Sequence, residues 1–141
     1  MSYREKTAWL ALVAMAVSFG PYFFVLASNI IPTAGLPNTR QLMLFGATAA
    51  MQALVLGIGY WYLRRTAAQD TRVLPDERDK AIEYRATSSA YYVLIAGMIV
   101  VGCVLPFTAS GWGIVRATIA MIVTAQIVNY GIVVFSYRRQ A

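Results

Sequence analysis

Ser89–Phe107 reads SAYYVLIAGMIVVGCVLPF, a run without one formal charge. Wound as an α-helix at about 1.5 Å per residue, it is about 28 Å long, close to the ~30 Å hydrocarbon core of a bilayer. It does not alternate polar and apolar residues as a barrel strand does, so it reads as a helix. Three similar blocks accompany it, at 7–31, 41–63 and 113–137. With 89–107 they leave no stretch for a soluble domain of the usual ~50 or more residues. The expected fold class is all-α. It is a polytopic membrane protein, an antiparallel four-transmembrane-helix bundle in a single transmembrane domain over 1–141.

Composition agrees. The chain is 59% hydrophobic and 13% charged, where soluble domains run at about 45–50% and about 25%. It has no histidine and one cysteine, Cys103. A single chain therefore builds no His-ligated metal or haem site, no disulfide and no Cys-x-x-Cys redox pair. No cofactor and no metal are expected. A signal peptide competes for the first block, since Val25-Leu26-Ala27 resembles a cleavage site. Secretory apolar regions run about 7–15 residues, however, and 7–31 is longer, so a retained span is expected.

The net charge of +6 does not point to nucleic acid, because the cations mark the ends of apolar blocks instead of one exposed face. Ten of the 12 Lys and Arg fall on one side of the expected membrane. They are Arg4 and Lys6, then Arg64, Arg65, Arg72, Arg78, Lys80 and Arg85, then Arg138 and Arg139. Arg40 and Arg116 fall on the other side, with Arg116 placed to snorkel to the headgroups. This asymmetry predicts both termini in the cytoplasm, at a cytoplasmic (inner) membrane, and opposes dual topology. Trp9, Tyr60, Trp61, Tyr62, Tyr91, Tyr92 and Tyr137 would form the inner aromatic belt, and Trp112 the outer.

All six acids (Glu5, Asp70, Asp76, Glu77, Asp79, Glu83) fall outside the expected spans. That counts against a proton-driven exporter with a membrane carboxylate. Uncharged polar residues do occur near mid-span: Ser18, Thr48, Gln52, Gln126 and Asn129. Amides facing lipid lack partners, so Gln52 and Gln126 are expected to point inward. The group is either a hydrogen-bonded layer that holds helix register or the lining of a polar path. Small residues at 46 and 50, and at 49, 53 and 57, predict close packing of the second span within the chain or in a homo-oligomer. Gly20-Pro21 predicts a kink in the first span.

The charged segment 64–88 contains the most patterned polar stretch, Pro75-Asp76-Glu77-Arg78-Asp79-Lys80-Ala81-Ile82-Glu83-Tyr84-Arg85-Ala86. Pro75 and Asp76 are start signals, and first-turn acids suit the positive end of a helix dipole. One helix is expected from about Asp76 to Leu105, about 45 Å long, its first turns extended into the cytoplasm. Asp76, Asp79 and Glu83 share a face that could hold a hard cation, but Lys80 lies among them. Arg78, Ile82 and Arg85 share another, suited to anionic headgroups or a partner protein.

Asp76-Glu77-Arg78-Asp79, Ile82, Arg85-Ala86 and then Ala90-Tyr91-Tyr92-Val93-Leu94 together resemble a signature of small prokaryotic membrane proteins, the domain-of-unknown-function family numbered 2178. The likeness covers about 20 residues, the rest matching in hydropathy. It implies spans flanking a central charged segment, with no catalytic residues and no established activity. Genes of such families often neighbour small helix-turn-helix regulators, so the resemblance implies a signalling or regulatory role.

The expected function is that of a non-enzymatic membrane-anchored regulatory or interaction protein acting through the cytoplasmic helix 76–86. Its expected partners are membrane lipids, a cytoplasmic protein and a second copy of the chain, and not nucleic acid. The alternative is a small channel or transporter with a polar path at the bilayer midplane.

Overall fold

Each apolar block becomes a helix, and three of the four begin at a side-chain cap. The computed structural model describes residues 3–28, 30, 38–66 and 76–139. Its long helices are α1 (Tyr3–Ala27), α2 (Thr39–Thr66), α3 (Glu77–Ile99) and α4 (Gly111–Arg138). A π-helical turn, Val100–Val104, and a 3-10 turn, Leu105–Phe107, continue α3. Four helical stretches, α3 counted through Phe107, are long and apolar enough to cross a membrane. The chain divides into two units, Met1–Thr71 and Arg72–Ala141, described here one at a time.

In the first unit α1 packs on α2. Tyr22 meets Phe45 edge-on, with ring centroids 6.3 Å apart, and Leu10 lies against Gly59. The two pairs run in opposite order along the helices, so the hairpin is antiparallel. α1 begins earlier than expected and takes in Arg4, Glu5 and Lys6, which the sequence places before the span. Glu5 is a first-turn acid and is buried, 8% exposed, where the helix dipole favours a negative charge. The helix passes through Pro21 without interruption. Its buried stripe, Ala8, Ala11, Met15, Ser18 and Tyr22, recurs every three or four residues.

The small residues of α2 are largely uncovered within the chain. The helix buries only Gln41 and Thr48, and a side chain added at Gly46 or Gly57 would meet nothing within 4 Å. Gly59 is the α2 glycine in tight contact, and it faces Leu10. Small residues permit close approach without requiring it. Asn38 caps the helix, accepting from Gln41 N at 3.2 Å. At the other end Arg64 and Arg65 occupy the last turn, where cations complement the dipole, and Arg65 lies 4.0 Å over the Trp61 ring.

In the second unit α3 packs on α4. Asp76 is the N-cap of α3. Its carboxylate accepts from Glu77 N at 2.7 Å, so the helix starts where Pro75-Asp76 predicts. Continuous α-helix to Leu105 is not what forms. Pro106 has no N–H to give to the preceding turn, and the backbone adjusts locally. Leu105 N bonds back to Val100 O, and Thr108 N to Leu105 O at 3.0 Å. Ser110 then caps α4 by accepting from Gly113 N at 3.3 Å. Gly97 lies against Met121, and Ile82, Ala86, Gly97 and Val101 form the buried stripe of the α3 segment.

Candidate functional site

The open end of the α3–α4 hairpin gathers most of the residues that carry the family resemblance. Tyr137 Oη donates to Asp79 Oδ1 at 2.5 Å, partly buried and 58 residues apart in sequence. With Gly97 against Met121, this bond sets the antiparallel register of the hairpin. Asp76 and Asp79, two of the three acids that could have held a cation, are thus engaged by the Glu77 amide and the Tyr137 hydroxyl.

Beside this bond lies a cleft of about 560 Å³. α3 contributes Arg78, Ala81, Ile82, Arg85 and Ser89, which follow one another at helical spacing along one face. α4 contributes Ile132, Phe135, Ser136 and Arg139, again one face. Ile82 forms the buried part, 9% exposed. Arg78, Arg85 and Arg139 are exposed at the rim, while Ser89 and Ser136 are half-buried. None of these lining residues is acidic. The cleft therefore offers guanidinium and hydroxyl donors beside an apolar wall, the chemistry that receives an oxyanion carrying an apolar tail.

Of the residues read from the sequence, Arg78, Ile82 and Arg85 do come together here. The sequence misses Ser89 and the entire α4 side, since Arg138 and Arg139 read only as the end of a span. The spacing of Ile132, Ser136 and Arg139 was available as a signal, but not the register that brings them opposite Arg78 and Arg85.

The mid-span polar residues are divided between the two units. Ser18, 2% exposed, and Gln52 belong to the first unit, and neither Ser18 Oγ nor Gln52 Oε1 has a hydrogen-bond partner. Thr48 Oγ1 donates to Leu44 O of its own helix at 2.8 Å, so it adds nothing to an interhelical layer. Gln126 and Asn129 lie on α4. Asn129 is half-buried, whereas Gln126 is exposed, contrary to the inward placement expected. Gln126 shares a face with the buried Ile119 and Val123, and that face is uncovered at its position. Arg116 is half-buried, with Nε and Nη2 shielded from solvent and without hydrogen-bond partners.

Comparison with known proteins places this geometry in a wider frame. A family model described as "Predicted membrane protein (DUF2178)" matches residues 5–141. The likeness carried by about 20 residues around Asp76–Leu94 thus extends over nearly the whole chain. No curated protein and no solved structure matches it.

Proposed function

Since the chain belongs to the DUF2178 family of predicted membrane proteins, we propose that it is a non-enzymatic interaction or regulatory protein of the cytoplasmic membrane. Both termini and the connector between α2 and α3 lie inside, and the protein acts through the open end of the α3–α4 hairpin. The observation that carries this reading is the cleft rimmed by Arg78, Arg85 and Arg139. It joins the one strongly patterned polar segment to a face of α4 that ends in a further arginine, Arg139. The ten-to-two distribution of cations supports the orientation. A non-catalytic role is supported by the tasks of Asp76 and Asp79, which are held in a helix cap and an interhelical bond and not aimed at a nucleophile.

The test uses a photo-crosslinking residue in place of Ala81, which lines the cleft. In cells it should capture a partner, of lipid or protein mass. The adduct should disappear when Arg78→Glu and Arg85→Glu are combined. An adduct indifferent to charge reversal removes this reading.

A polar path is the second reading, favoured by Ser18 Oγ and Gln52 Oε1, both shielded and without partners. Polar atoms in that state are costly unless water or a solute meets them. A Gln52→Cys thiol, in a Cys103→Ser background, should then react with a small charged methanethiosulfonate. An inert thiol would dismiss the path.

A further inference from the structure

We infer that the α3–α4 cleft is a binding site for one anionic phospholipid, its phosphate held by Arg85, Arg139 and the hydroxyl of Ser136, and its acyl chain leaving past Ile132 and Ser89 toward the bilayer. This rests on the proposed role of the hairpin end and names its occupant.

Charge complementarity is the first argument. The lining side chains that carry charge are all arginine. Guanidinium groups bind phosphate bidentately and are more weakly hydrated than ammonium groups, so they suit a half-enclosed interface. A cleft of about 560 Å³ falls within the range of about 300–1,000 Å³ that encloses a small ligand. It suits a headgroup better than the helix or strand of a partner protein.

Depth is the second argument. About 20 helical residues cross the ~30 Å core. Counted back from Phe107, the crossing ends near Ser88; counted onward from Trp112, it ends near Ile132. The end of the cleft formed by Ser89 and Ile132 therefore meets the edge of the hydrocarbon. Arg85, Arg139 and Arg78 lie successively beyond it, Arg85 at headgroup level and the other two further toward the aqueous side. A chain can enter from the bilayer past Ser89 and Ile132. Tyr91 and Tyr92, stacked edge-on with centroids 6.0 Å apart, lie just inside the boundary, where interfacial aromatic residues anchor a helix. Basic pockets between spanning helices on the cytoplasmic side are suited to anionic headgroups.

The experiment is native mass spectrometry of the full chain in detergent. The protein is titrated with dioctanoyl phosphatidylglycerol, with dioctanoyl phosphatidylcholine and with inorganic phosphate. Phosphatidylglycerol should be retained about tenfold more strongly than phosphatidylcholine, and equimolar inorganic phosphate should not displace it. Arg85→Gln and Arg139→Gln should each weaken retention about tenfold, the loss of one charge-assisted phosphate contact. Arg85→Lys with Arg139→Lys preserves the charge and should weaken retention by less, which also controls for folding.

Equal retention of the two lipids, or retention unchanged in the double glutamine variant, would overturn the assignment. Displacement by inorganic phosphate would overturn it too, in favour of a free anion. A charge-dependent adduct of protein mass at position 81 with no phosphatidylglycerol preference would refute the lipid and leave the broader role standing. Loss of charge dependence at position 81 would refute both.

Discussion

Replacing Gly97 with leucine is expected to cost about 3 kcal/mol of stability, because α3 and α4 have no room for a side chain there. A Cβ built on Gly97 would lie 3.0 Å from Met121 Cγ and 3.1 Å from Met121 Cβ, and closer still to Cε. The Cε end can swing away, but the Met121 Cβ cannot move without its helix. Gly97→Ala sets two terms against each other. Crowding costs about 1 kcal/mol, and better helix propensity returns up to about 1 kcal/mol. That variant should be nearly neutral. Gly102→Leu provides the control, since nothing lies within 4 Å of that position. Thermal unfolding in detergent, followed by circular dichroism, reads all three. Wild-type stability in Gly97→Leu would mean that the hairpin does not pack in this register. Partial recovery on adding Met121→Ala would identify the clash.

The second large effect concerns Tyr137 and Asp79. A hydrogen bond to a charged group contributes about 1.5–3 kcal/mol, and the partly buried position of this one argues for the lower half of that range. Tyr137→Phe should cost about 1.5 kcal/mol. Asp79→Ala should cost at least as much, because it leaves the partly buried Tyr137 hydroxyl without its acceptor. The double variant should cost little more than Asp79→Ala alone, which leaves a coupling energy of about 1.5 kcal/mol. Strict additivity would remove the bond from any account of the hairpin. Both single variants should also weaken phosphatidylglycerol retention, since Tyr137 lies beside Ser136 and two residues before Arg139, and the cleft depends on how closely the two helix ends are held.

Several features of the fold are legible because they are local. Four apolar runs of span length need only their own composition to declare themselves, and four such helices form. Asp76 is readable as a start signal because a cap acts over a few residues, and α3 begins immediately after it. The likeness built on Asp76–Leu94 is likewise local, and the family extends over residues 5–141. Physical tasks now attach to the residues that carry it: Asp76 caps, Asp79 bonds α4, Arg78, Ile82 and Arg85 line the cleft, and Ala86 is fully buried.

Other expectations failed for want of a partner surface. Gly46 and Gly57 looked like packing residues, but within the chain Gly59 is the one in tight contact, because Leu10 happens to lie opposite it. Gln126 seemed bound to face inward, yet its part of α4 is uncovered. A continuous helix to Leu105 overlooked the effect of Pro106 on the turn before it.

Hydropathy, the caps and the distribution of cations are therefore properties of the chain alone. They depend on each segment's exchange with lipid, water or its own backbone, and they suffice for the helices and the candidate spans. The pairing of Tyr137 with Asp79 and of Gly97 with Met121, and the cleft that brings Arg139 across from Arg78 and Arg85, belong to the tertiary structure. Each depends on the axial register of two helices, which side chains far apart in sequence settle only when they meet. A shift of one turn, about 5.4 Å, would keep every span intact and dismantle the site.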